Sequence, residues 1–516
     1  MRVLYNTCFA DPWIQIVKEL KEKHGLIPIH WIGNQFDNSD KLVPEAFPEC
    51  KYLPRLDLWR GIFPKQIEDD WETESFDIDL LKELAVYELQ AIKMMDRMDN
   101  DQQSFSFMER QRLYRKNLKK WMIYLRKYKP DLVIGAIVPH RAYDYPLYLL
   151  CKHLNIPFLF FKNSAFMGRI VQAKDIYSIS DDIYKSYTEY KNKKLTTDEL
   201  LNDLDDDILT GYQKVQGDYS QAEPGYMKRH VSRAKQESNL LGLAIRLFKL
   251  LSESREKYFG KEAYIIKGVP SYYKEKNKSI EESRLSLYAH IKRKRKGVRI
   301  KKRLKKYYLS LTSNPDFTEK FVYLPLHYQP EMTSSPSGDI FVDQLLCVDV
   351  LATNLPDYKI YVKEHPSQLL PHTEGHTSRI KEFYKDLLLY KNVRLMPLNI
   401  NPFKLTKNSQ AVATITGTAG WEAMVLKKPV IVFGLSWYES YRGVLKVNDQ
   451  ATVMKIRSFI ENFTFNEEDL LSYLRAFQDH STVAYYDMGL KDKMDQDEKE
   501  CIGNLVNFIL KCLNIS

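Results

Sequence analysis

Short apolar runs alternate with amphipathic stretches toward both ends of the chain, and a polar, densely charged stretch separates the two regions. Near the start, Val3-Leu4-Tyr5 reads as a strand. Pro12 to Lys23 reads as a helix with Trp13, Ile14, Ile16, Val17 and Leu20 near one face, and Ile27 to Ile32 as a second strand. Leu132 to Val138 is apolar throughout, the pattern of a strand buried on both faces of a parallel sheet. A helix over Pro146–Leu154 and the strand Phe158-Leu159-Phe160-Phe161 follow. The rhythm returns with strands at Phe321–Leu324, Ile360–Val362, Val393–Leu395, Ala411–Ile415 and Val430–Phe433. Helices over Val342–Thr353, Ser378–Leu389 and Ala419–Leu426 lie between them. Strand–helix–strand alternation predicts parallel sheets covered on both faces, so the fold class is α/β with two doubly wound, Rossmann-like domains. Residues 1–179 form the first, with a helical insertion at about 65–127, and residues 316–465 the second. Residues 180–315 read as a charged helical connection and 466–516 as C-terminal helices.

The length of 516 residues fits two or three domains, and the net charge of +10 suggests an anionic partner. Much of the excess lies in KRKRKGVRIKKRLKK (Lys292–Lys306). With its apolar neighbour LLGLAIRLFKLL (Leu240–Leu251), this run suits contact with an anionic membrane surface. The plainer reading of each piece is a solvated helix and a core helix. No nucleic-acid motif accompanies the charge, so nucleic acid is not an expected partner. Six scattered cysteines without metal spacing read as reduced thiols. The chain shows neither a signal peptide nor an apolar run of about 20 residues, so the expected location is the cytoplasm, peripheral at most to the inner face of its membrane.

Four segments carry candidate chemistry. In TITGTAGWEAMVLKKPVIVFG (Thr414–Gly434), a strand runs into the turn Thr416-Gly417-Thr418-Ala419-Gly420, which opens a helix. Free amides and the positive end of the helix dipole make such a turn a place to hold phosphate. An ordinary threonine-capped turn reads equally well. In KIYVKEHPSQ (Lys359–Gln368), His365 sits at the tip of a strand expected in the same sheet, so both features should face one crevice. There the histidine can donate to a phosphate. YLPLHYQPEMTSSPSG (Tyr323–Gly338) brings His327, Tyr328, Gln329 and Glu331 to that edge, or is a surface loop. In the first domain, VPHRAYDYP (Val138–Pro146) puts His140 and Asp144 at a strand tip. A carboxylate across the cleft from His365 can serve as base or nucleophile, or Asp144 can cap a helix.

Taken together, PHRAYDYPLYLLCKHLNIP, YLPLHYQPEMTSSPSGDIFVDQ, KEHPSQ and TGTAGWEAMVLKKPVIVFG resemble the capsule polysaccharide biosynthesis family, which includes retaining β-Kdo transferases. The His-Pro pair also resembles that of bacterial sialyltransferases. The resemblance implies a GT-B glycosyltransferase whose two domains face a cleft, with a nucleotide sugar in the second domain and a glycan or lipid-linked acceptor in the first. By that resemblance Asp144 is nucleophile or base and His140 assists it. His365 meets the donor phosphate, Thr416, Gly417, Thr418, Ala419 and Gly420 cradle it, and Lys363 and Pro366 also bind the donor. Gln329 and Glu331 line the sugar pocket, and Glu422 reaches the ribose or base. A CMP-sugar such as CMP-Kdo is the favoured donor. The site residues include no metal ligand, and no cofactor is expected beyond the co-substrate. The D-x-D spellings Asp77-Ile78-Asp79 and Asp99-Asn100-Asp101 lie in polar helical surroundings and read as solvated surface. A polyol-phosphate transferase, a nucleotide-sugar epimerase and a non-catalytic binding module are the alternatives.

Overall fold

The computed structural model describes residues 1–33, 37–98, 106–217, 287–371, 373–486, 490, 494 and 496–515. Thirteen strands among them form two sheets. The first contains β1 (Arg2–Asn6), β2 (Ile27–Gly33), β3 (Lys51–Pro54), β4 (Leu132–Gly135), β5 (Phe158–Asn163) and β6 (Arg169–Gln172). The second contains β7 (Phe321–Pro325), β8 (Lys359–Lys363), β9 (Val393–Leu395), β10 (Ala411–Thr414), β11 (Val430–Val432) and β12 (Val444–Lys446). The last strand, β13 (Ser481–Val483), returns to the first sheet.

The second sheet is parallel throughout, in the order β12-β11-β10-β7-β8-β9. The order in which strands are added reverses between β7 and β10, and ligands of such sheets bind beyond the strand tips at that switch point. The first sheet repeats the pattern over β3-β2-β1-β4-β5, with its switch point between β1 and β4. Antiparallel β6 and β13 extend it. This is the two-domain, GT-B-like α/β architecture expected from the sequence. Wholly apolar runs became central strands for a simple reason. Every residue of β4 and β10 is buried, so neither face of these strands needs a polar position.

The stretch 65–127 is mostly helical among its described residues. Its longest helix, Phe107–Tyr128, opens on a capping box of Ser106 and Glu109. Asp77 caps the helix Ile78–Glu83 by accepting from the Leu80 amide, so the first D-x-D is part of a helix start. Asp99-Asn100-Asp101 lies outside the described residues.

The tail does more than add helices. The helix Glu467–Asp479 packs against Asp182–Lys193, and β13 pairs antiparallel with β6. The helix Glu498–Leu513 then shares a core with Trp13, Ile16 and Leu20 of the helix Ala10–His24. An aromatic cluster spans the two domains: Phe166 lies 5.3 Å from both Trp421 and Trp437, and Trp437 lies 4.5 Å from Phe477.

The acidic run Asp203–Asp207 has a local partner. Asp205 and Asp207 both pair with the buried Arg169 guanidinium. In the helix Leu287–Ser310, Lys292, Arg295, Lys296, Arg299, Lys302, Arg303, Lys305 and Lys306 are exposed. Lys301 is not part of that face, because it is buried and donates to the carbonyls of Pro371 and Thr373. Leu240–Leu251 lies outside the described residues. No described helix is long and apolar enough to cross a membrane. All six cysteines are unpaired.

Candidate functional site

Beyond the tips of β7 and β10, His327 joins the two loops. Its Nε2 lies 2.9 Å from the Thr414 hydroxyl and accepts from the Ile415 amide at 3.2 Å. Accepting an amide puts the ring proton on Nδ1. Burial pushes the pKa down to about 3, so this histidine is neutral and structural.

Below it runs a buried polar network. The Glu364 carboxylate accepts from Arg379 Nε at 2.9 Å, from the Tyr384 hydroxyl at 2.8 Å and from the His365 amide at 2.8 Å. Arg379 also donates to Gln329 Oε1 and to the His327 carbonyl. Gln329 passes its own amide protons to the Val342 carbonyl at 2.7 Å. The Gln329 side chain therefore braces the loop, with both ends of its amide engaged inside the fold. Glu331 is exposed, and its carboxylate accepts from the Thr333 hydroxyl at 2.8 Å.

His365 caps the short 3-10 helix Pro366–Leu369, its Nδ1 accepting from the Ser367 amide at 3.1 Å. The proton is thus on Nε2, the arrangement of a donor. Pro366 sits at the first position of that turn, where a missing N–H is tolerated. Beside it the Lys363 ammonium is nine-tenths buried, and burial pushes its pKa down to about 8.

The turn after β10 opens the helix Thr418–Val425. Gly417 is its N-cap and offers no side chain. The amides of Thr418 and Ala419 have no hydrogen-bond partner among the described residues. Thr416 donates its hydroxyl to the Thr333 carbonyl at 2.9 Å, so one threonine fastens the turn while the exposed Thr418 does not. Gly420 serves packing: a Cβ there would clash with the Tyr438 hydroxyl, and that hydroxyl donates to the Gly417 carbonyl. Its missing side chain makes room for a tyrosine rather than a ligand. Glu422, one turn on, has its pKa pushed up to about 8 by burial.

At the tip of β4, Asp144 begins the helix Asp144–His153. Its Oδ1 accepts from the amides of His140 at 2.9 Å and Arg141 at 2.5 Å. The carboxyl is almost fully buried, which pushes its pKa up to about 6 against the opposing pull of Arg141 and the two amides. His140 Nδ1 lies 2.8 Å from the Val138 carbonyl. That carbonyl can only accept, so the ring proton is on Nδ1 and Nε2 is an acceptor. Burial holds the ring pKa well below its ordinary value.

Arg97, from the helical insertion, links the two crevices. It donates to the His140 carbonyl on one side and to the Ser335 carbonyl on the other, the latter at 2.8 Å. The loop after β4 and the loop after β7 therefore meet.

Two contributors were absent from the sequence reading. Arg97 lies in an insertion with no strand tip to mark it. Lys162 is the next-to-last residue of β5, nine-tenths buried, with Glu331, Glu439 and His327 as electrostatic neighbours. Burial pushes its pKa down to about 8. The one available signal was a lysine closing an otherwise apolar strand, FLFFKN.

Comparison with known proteins then places the second domain. Residues 332–455 match the model of the capsule polysaccharide biosynthesis protein family. The His365 and Thr416–Gly420 motifs fall inside the match, and the Asp144 motif lies outside it. The chain is 31% identical over 86 residues to the capsule polysaccharide modification protein LipA of two Neisseria meningitidis strains, serogroups B and A. It spans only 11% of the length of these curated relatives, and the match takes in 17% of this chain. Among solved structures, the chain is similar to the β-Kdo 2,7 transferase KpsC of Thermosulfurimonas dismutans, at 11% identity and a TM-score of 0.29. That match covers 75% of this chain and 89% of that one. It is also similar to UDP-GlcNAc 2-epimerase of Methanocaldococcus jannaschii, at 12% identity and a TM-score of 0.21, covering 92% and 97%.

Proposed function

We propose that the chain is a glycosyltransferase of capsule or lipopolysaccharide-type glycan assembly. It takes a sugar from a nucleotide donor, a CMP-sugar such as CMP-Kdo being favoured, and passes it to a glycan or lipid-linked glycan. The observation that carries this reading is the meeting of two unlike crevices across Arg97. One offers two unpartnered amides at a helix start, a histidine with its proton on Nε2 and the buried Lys363. These are groups that stabilise a leaving phosphate. The other offers a buried carboxylate tuned to about 6.

In this reading the donor phosphate sits at Thr418 and Ala419. His365 donates from Nε2, Lys363 and Lys162 balance the charge, and Glu422 meets the nucleoside. Asp144 acts as nucleophile on the anomeric carbon or as base toward the acceptor hydroxyl, and its pKa leaves it ionised at neutral pH, as either role requires. His140 Nε2 accepts a hydrogen bond from the sugar or acceptor beside it. The phosphate charge is met by protein donors, so the reading requires no metal. The exposed cationic face of Leu287–Ser310 supports peripheral contact with an anionic membrane on the cytoplasmic side, near a lipid-linked acceptor.

A thermal-shift panel of CMP, UDP, GDP and ADP on the whole chain tests the donor site. Ligand at 100 times its dissociation constant adds about 2.7 kcal/mol of stability. A shift selective for CMP and lost in His365→Ala supports the reading. A shift with UDP or GDP alone discards the CMP-sugar donor. No shift with any nucleotide overturns it.

A further inference from the structure

In the first domain the switch point lies between the tips of β1 and β4. Three guanidiniums gather there, and Arg97 also has Glu331 and Asp96 as electrostatic neighbours. Arg55 follows β3 directly, Arg141 follows β4, and Arg97 reaches in from the insertion. All three have Asp144 as an electrostatic neighbour, and the neighbours of Arg55 are Arg141, Tyr143, Asp144 and Asp37. Asp37 is occupied locally, accepting from the amides of Ala10 at 2.9 Å and Ser39 at 3.1 Å.

Arg97 is held by two carbonyls, and Arg55 is held less fully. Its Nε is buried with no hydrogen-bond partner among the described residues. Arg141 reaches Thr7 Oγ1 only at 3.4 Å and Asp144 Oδ2 at 3.9 Å. Leaving a buried donor nitrogen unsatisfied is costly, and so is gathering like charges with only partial access to water. A protein keeps such an arrangement where something else supplies the missing negative charge.

A second observation marks the same spot. Thr7, at the tip of β1, has φ +59°, a left-handed conformation that β-branched residues rarely adopt. Its hydroxyl lies 2.8 Å from the Tyr143 hydroxyl, and Arg141 donates to it. Strain of this kind concentrates where a side chain must be aimed at a ligand. The strained threonine and two under-used guanidiniums thus stand together beside Asp144.

We propose that Arg55 and Arg141, with the Thr7 hydroxyl, form an oxyanion site for the acceptor, which carries a carboxylate or phosphate group next to the hydroxyl that reacts. The planar fork of arginine matches both groups and distinguishes them from neutral sugar hydroxyls. The anion belongs to the acceptor because the phosphate-holding groups of the donor lie in the other domain. This inference rests on the glycosyltransferase reading for the identity of its ligand, though not for the existence of the site.

The test is titration calorimetry on the whole chain with glucuronate, inorganic phosphate and neutral glucose as probes, each with and without saturating CMP. Binding of glucuronate or phosphate, but not glucose, is expected, and it survives CMP. Which anion binds tells carboxylate from phosphate. Arg55→Gln and Arg141→Gln should each weaken it by about 10- to 100-fold, the range for a charge-assisted hydrogen bond. Arg55→Lys restores charge without the fork and should recover only part. His365→Ala should leave anion binding intact while weakening CMP. Absence of anion binding, or binding unchanged in both arginine variants, overturns the proposal, as does anion binding lost in His365→Ala and kept in the arginine variants. CMP failing to bind while the arginine-dependent anion site persists would remove the donor reading and leave this one standing. Thermal melts of both glutamine variants check folding.

Discussion

The two crevices share a strand order, yet they are finished differently. In the second domain His327, Gln329, Glu364 and Arg379 bond to one another and to backbone, so the loops after β7 and β8 are held from beneath. In the first domain, among the described residues, Arg55 Nε is buried without a hydrogen-bond partner and the Arg141 guanidinium makes only long contacts. A satisfied network holds one geometry, and an unsatisfied one is completed by what binds to it. In the proposed reading, the contrast is between a donor site built in advance and an acceptor site completed by its ligand.

Removing the rigid side's keystone should have the largest effect on stability. Glu364→Ala leaves the Arg379 guanidinium buried and unpaired. It should cost about 3–5 kcal/mol in denaturant unfolding. A much smaller loss would mean that the crevice of the second domain is no better braced than that of the first.

The carboxylate of the first domain gives the largest effect on turnover. Asp144→Asn keeps an oxygen for the amides of His140 and Arg141, so the loop and nucleotide binding should persist. Transfer should fall by about 10²- to 10⁴-fold in a product assay with the donor. Retained turnover would leave Asp144 as a loop brace only.

The pH profile follows from the same group. The Asp144 pKa is raised to about 6, so transfer should fall as pH drops through that value. For stability the sign is opposite. The folded pKa lies above the unfolded value of 3.8, so the folded state favours the protonated form. This contribution is fully present below 3.8 and is lost as pH rises through about 6. Asp144→Asn should therefore flatten that part of a pH–stability curve.

A smaller effect tests packing at the donor turn. Gly420→Ala drives a methyl toward the Tyr438 hydroxyl and should cost about 1–3 kcal/mol in thermal unfolding. A Tyr438→Phe background should recover part of it, because the clash is with the hydroxyl. If the single variant instead folds normally and loses only CMP binding, Gly420 serves the ligand rather than the tyrosine.

Central strands were legible in the sequence because burial on both faces writes itself into a few consecutive residues, as in LVIG and AVAT. The short strands β3, β6, β12 and β13 were not. KYLP and STV carry no period strong enough to separate strand from loop, and pairing with a neighbour decides them. At the candidate site, His365 and the turn at Thr416–Gly420 were legible because each ends a readable strand. Lys162 and Arg97 were not, since their roles depend on residues more than 150 positions away. Gly420 reads in the sequence as a ligand-facing glycine, whereas Tyr438 fills its space.

The sequence by itself determined two doubly wound domains, the strand tips that carry His365 and Asp144, and a resemblance that the match over residues 332–455 bears out. Only the tertiary structure decided that the tail returns to complete the first sheet, that Glu364 and Arg379 underpin the crevice of the second domain, and that Arg97 joins the two crevices. The physical reason is range. Periodicity and chain breaks act over a few residues, while the partner of a buried charge is chosen by whichever distant segment the fold brings against it.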